Sequence, residues 1–122
     1  MVAAIMSIST GANAVNRTVV ANGKQQKIWH FTAVNADCTS AGLSTVRIAG
    51  SPQYGAIAIR KVNDYPGFPP SSQRYRCNVK RFPSIGVFYT PARGFVGTDY
   101  VKIDEITPWA VGRTLDLTID VH

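Results

Sequence analysis

The sequence predicts an all-β fold, an antiparallel sandwich of about seven or eight short strands. Three observations predict it. Val, Ile, Thr, Tyr and Phe dominate the runs between breaks, and these side chains fit a pleated, half-buried surface. Gly and Pro recur too often for long helices to form between them. The final stretch alternates, with Leu115, Leu117, Ile119 and Val121 set against Thr114, Asp116, Thr118 and Asp120. That is the pattern of a strand with one buried and one wet face. A length of 122 residues fits one domain, large enough to bury a core without a metal.

Taken in order, Arg17–Ala21 and Lys27–Val34 read as the first two strands, with Asn22-Gly23 as the turn between them. Trp29, Phe31 and Ala33 are expected on one face and Ile28, His30 and Thr32 on the other. Ser44–Ala49 alternates around Val46 and Ile48 until Gly50-Ser51-Pro52 breaks it. Ala56–Lys61 sets Ile57 and Ile59 against Arg60. Residues 62–73 contain three prolines and a glycine, which excludes a central strand and predicts a long loop. Extended structure is expected again over Arg74–Lys80, Ile85–Thr90 and Thr98–Glu105, and Pro108-Trp109 lies in the last connection.

The composition narrows the compartment and the chemistry. No apolar run reaches the roughly 20 residues of a spanning helix, and no internal repeat is present. Residues 1–14 carry no charge and end in Ala12-Asn13-Ala14, a small-x-small site suited to signal cleavage. They read as a signal peptide lacking a basic start, leaving a mature domain of residues 15–122. An apolar first strand or a disordered start is the other reading. Cys38 and Cys77 are the only cysteines, far outside redox or zinc spacing. In an exported small domain they read as a disulfide, with two buried thiols as the alternative. Export to a periplasm or beyond the cell is the expected location.

The most specific motif is Tyr89-Thr90-Pro91-Ala92-Arg93-Gly94-Phe95-Val96-Gly97-Thr98-Asp99. Pro91 has no N–H and ends a ladder, and Gly94 and Gly97 allow a sharp path. Phe95 plugs the core, Asp99 caps the turn, and Tyr89 buries its ring while its hydroxyl finds a partner. This Y-x-P-x-x-G-F-x-G-x-D corner resembles that of bacterial immunoglobulin-like and cadherin-like modules. The Pro52…Gly55-Ala56-Ile57 run also looks like the start of a strand in that family. The resemblance spans about residues 44–122 and implies an immunoglobulin-like antiparallel β-sandwich. It brings no catalytic set. A single unit with a Cys pair departs from tandem adhesin stalks and suits a small free-standing secreted protein.

The net charge is +6 and uneven. Residues 47–93 carry +7, residues 94–122 carry −3, and residues 15–46 carry +2. A basic middle attracts polyanions, although paired basic residues on solvated strand faces give the same count. The Pro-stiffened segment holding Tyr65 and Phe68 is flanked by Arg60, Lys61, Arg74 and Arg76, with Lys80 and Arg81 beyond. Rigid aromatics beside arginines suit recognition, whereas an ordinary loop would pack both rings on the core. Trp109 with Arg113 is a second candidate.

Catalysis is not motivated. His30 lies mid-strand, and His122 is far from any nucleophile motif. Asp104 and Glu105 are adjacent, so they point to opposite faces and read as solvated strand ends rather than a paired acid and base. No metal, cofactor or nucleotide motif is present. The expected function is a non-catalytic binding module for an envelope protein or an anionic glycan, with no specific nucleic acid. The alternatives are a self-associating decoration or stalk domain, or a small protein inhibitor acting through the 62–73 loop.

Overall fold

Alternating apolar residues along the strands build two sheets that share one core. The computed structural model describes residues 16–122, so the expected leader lies outside the described residues. The strands are β1 (Asn16–Val20), β2 (Gln26–Phe31), β3 (Ala33–Val34), β4 (Ser40–Gly42), β5 (Thr45–Gly50), β6 (Gly55–Asp64), β7 (Phe82–Pro91), β8 (Gly97–Ile106) and β9 (Gly112–Val121). Among the described residues one sheet has the order β1-β9-β8-β5, the facing sheet β2-β7-β6, and β3 pairs only with β4. The all-β sandwich expected from the alternation is the fold. It has nine strands among the described residues rather than seven or eight.

The core lies between the sheets. Val101 and Ile103 of β8 and Leu117, Ile119 and Val121 of β9 face Ile28, Phe31, Val87 and Tyr89. Each fully buried branched side chain contributes ~1.5–3 kcal/mol of transfer free energy. A smaller cluster joins Val34, Cys77 and Phe82 with Phe68 and Cys38.

The expected 62–73 loop begins only at Tyr65, because β6 runs on to Asp64 paired with Phe82, and four further expectations change. Asn22-Gly23 does form a turn, with Gly23 at φ +73°, but β1 and β2 are not a hairpin. β1 pairs in parallel with β9, and the turn carries the chain from one sheet to the other. The register of β2 shifts between Lys27 and Trp29. The bulge puts Ile28 in the core with Phe31, and Trp29 is left half-buried. Third, the chain breaks at Thr32 and a short β4 appears. Fourth, residues Tyr75–Val79 form a 3-10 turn instead of a strand. The Cys38–Cys77 disulfide ties this turn to the β3–β4 connection. Arg74 Nε donates to Val34 O and Arg76 Nη2 to Ala36 O, both at 2.8 Å.

Candidate functional site

β8 carries a buried carboxylate at each end, and the two ends of the sandwich differ around them. At its start Asp99 is 1% exposed. Its Oδ1 accepts from the backbone N–H groups of Gln53 and Tyr100, and its Oδ2 from Tyr54 N, all at 2.9 Å. The Tyr89 hydroxyl donates to Oδ2 at 2.7 Å. Burial, then the hydrogen bond and charge of Asp99, push the Tyr89 phenol far above its ordinary range. Phe95 stacks on Tyr54 with centroids 4.5 Å apart and packs against the core. Pro91 is the last β7 residue paired, opposite Gly55. Gly94 and Gly97 adopt φ +82° and +145°, which favour glycine. A Cβ on Gly55 would overlap the Tyr89 ring and lie 2.7 Å from Thr90 O.

At the far end of β8, Glu105 is 4% exposed. It was expected as a solvated strand end. The face that buries Asp99, Val101 and Ile103 also buries Glu105, two residues further on. Its Oε2 accepts from the Ser44 hydroxyl and its Oε1 from Arg113 Nε, both at 2.6 Å. The Arg113 side chain is itself 67% exposed. This end stays open as a groove of about 320 Å³ between the β8–β9 end on one side and β3 with the 68–74 segment on the other. Thr32, Ala33 and Val34 form one side, Thr107, Trp109 and Val111 another, and Phe68 and Arg74 border it.

Local chemistry fixes the two rims. The β8–β9 turn closes with Thr107 N donating to Val111 O and Ala110 N to Thr107 O. The Thr107 hydroxyl accepts from Val111 N. Ala110 sits at φ +63°, an uncommon conformation for a residue with a Cβ. Trp109 and Val111 beside it are 52% and 57% exposed. On the other rim, Asn78 clamps the loop in both directions. Its Oδ1 accepts from Phe68 N and its Nδ2 donates to Phe68 O.

Among the nine residues expected to bind, Phe68, Arg74 and Trp109 converge on this groove. The others are placed elsewhere. Arg60 lies 3.8 Å over the Phe88 ring, Lys80 over Phe82, and Arg81 over Tyr65. Arg76 holds the Ala36 carbonyl. Lys61 lies near Leu43, Asn63 and Pro83. The basic middle is thus divided among separate contacts. Glu105 went unrecognised in the sequence, although its place in the β8 alternation was the available signal.

His30 holds the start of the loop, its Nε2–H donating to Tyr65 O at 3.0 Å. Asp64, which pairs with Lys27, lies 3.6 Å from its Nδ1. Burial first, with Lys27 adding to it, lowers the His30 pKa against the opposing pull of the Tyr65 carbonyl. Among the described residues no group of three or more His, Cys, Asp or Glu could hold a metal, and no helix is long and apolar enough to cross a membrane.

No protein-family model matches the chain, and comparison with curated proteins finds no match. Two solved structures are similar. One is the solution structure of amebosin, 14% identical, covering 87% of this chain and 88% of that one at a TM-score of 0.42. The other is the crystal structure of the cysteine protease inhibitor EhICP2 from Entamoeba histolytica, 16% identical, covering 88% and 87% at a TM-score of 0.44.

Proposed function

We propose that the chain is a non-catalytic, exported recognition module that takes a protein partner at the groove end of the sandwich. One observation carries this reading: an exposed Trp109 and the clamped Phe68–Arg74 segment, distant in sequence, border one groove. Exposed Trp and Arg beside an apolar cleft are what protein interfaces use as anchors. A loop fixed before binding loses less conformational entropy on association. The apolar walls favour a protein over an anionic glycan. The disulfide supports an oxidising compartment, periplasmic or extracellular. The Tyr89–Asp99 corner supports kinship with bacterial immunoglobulin-like and cadherin-like modules.

The rigid loop also favours a narrower form, a small inhibitor that presents this end to an enzyme. Pre-organised backbones are characteristic of protease inhibitors. The test is a binding and inhibition panel of envelope extracts and of serine and cysteine proteases, run at low and high salt. Each is measured against wild type and Trp109→Ala. A partner or inhibited enzyme that survives high salt and is lost in Trp109→Ala is the expected result. Concentration-dependent self-association that Trp109→Ala abolishes, with no other partner, would replace this reading with the decoration-domain one.

A further inference from the structure

We infer that the groove receives an extended acidic-apolar segment of the partner chain, its carboxylate bound by Arg74 and Arg113 and its apolar side chain against Trp109. This rests on the protein-recognition reading above. Both guanidiniums are held through Nε alone in the contacts described: Arg74 to Val34 O at 2.8 Å and Arg113 to Glu105 Oε1 at 2.6 Å. A guanidinium fixed at Nε keeps its terminal amino groups as a planar fork, the geometry that binds carboxylates bidentately.

The charges at the groove indicate which anion fits. Arg74, Arg113 and Glu105 are the charged residues bordering it, and they leave one positive charge uncompensated. A single carboxylate restores neutrality, whereas a phosphate dianion overshoots it. The apolar half of the ligand is set by Trp109, Val111 and Phe68, with Ala33 and Val34 behind them. A volume of about 320 Å³ lies at the low end for ligand sites and suits one or two side chains.

The probe is a set of synthetic peptides pairing an aromatic or branched residue with a neighbouring carboxylate. Amide and phosphotyrosine counterparts accompany it. Binding to the full protein is measured by NMR, following the Arg74 and Arg113 Nε–H and Trp109 Nε1–H signals. The carboxylate peptides are expected to bind about tenfold or more tightly than the amides, and the three side-chain signals to shift together. Arg74→Lys, which keeps the charge and loses the fork, is expected to weaken binding by about tenfold. Equal binding of the amide, tighter binding of the phosphotyrosine peptide, or shifts confined to another surface would each overturn the inference. So would no peptide binding while a Trp109-dependent protein partner is found, and that result leaves the recognition reading standing. A partner indifferent to Trp109→Ala removes the recognition reading itself. The wild-type titration decides the matter even where an arginine variant fails to fold.

Discussion

The two ends of β8 apply one device to opposite purposes. Asp99 and Glu105 are both buried carboxylates on the inner face of the same strand, roughly 20 Å apart along it. Asp99 is surrounded by four donors from its own chain. Tyr54, Phe95 and Gly55 close over that end. Glu105 has two donors, one of which belongs to a side chain two-thirds exposed. A carboxylate satisfied wholly from within locks its end shut. One satisfied by a solvent-facing arginine leaves its end open and holds that arginine at the groove.

The largest expected effect breaks the closed end. Asp99→Ala strands three N–H groups and the Tyr89 hydroxyl, with an expected loss on the order of 4 kcal/mol. That approaches the ~5–15 kcal/mol of a whole domain, and urea unfolding measures it. Gly55→Ala drives a methyl group into the Tyr89 ring and is expected to destabilise by about 2–3 kcal/mol. The open end is expected to respond less. Arg113→Met leaves Glu105 with only Ser44 beside a groove that water reaches, an expected loss of about 1–2 kcal/mol. Trp109→Ala is expected to change stability by no more than ~0.5 kcal/mol while abolishing partner binding. A loss from Trp109→Ala as large as that from Gly55→Ala would erase the contrast between the ends.

The smallest effect sharpens the contrast through pH. The folded His30 pKa is lowered, so the unfolded chain takes up the proton first. Its contribution to stability is complete above about 6.5 and is lost as pH falls from there through the folded value. Denaturation midpoints on either side of pH ~6.5 are expected to converge in His30→Gln. Tyr65 O favours the protonated ring while burial opposes it, so on acidification the contact with the loop is expected to persist and the loss to come from burying the charge.

The closed end was legible on its local side, while the Gln53 and Tyr54 N–H groups that reach Asp99 from about 45 residues away were not. Tyr89, Pro91, Gly94, Phe95, Gly97 and Asp99 lie within eleven residues, and glycine and proline restrict the backbone there directly. The open end was legible only in pieces. Phe68, Arg74 and Trp109 each stood out, but the sheet packing that unites them is not periodic information. Arg74–Lys80 alternates like a strand. It folds as a 3-10 turn, tied about 40 residues away by a disulfide to Cys38 and by two arginines on the Val34 and Ala36 carbonyls, contacts that its alternation does not announce. Asn22-Gly23 specified a reversal and could not specify which sheet the chain entered next. β4, three residues long, is too short to show a period.

The parallel pairing of β1 with β9 has a consequence for the order of events in time. Asn16 pairs with Leu117 and Val20 with Val121, and Arg17 reaches Asp120. The first of the described strands to be synthesised is therefore matched to the last of them. Until β9 arrives, β1 has no ladder to join, and every other strand of the sandwich can pair without it. Such a long closure is slow to form, so β1 docks as a latch, set after the rest of the domain has been delivered.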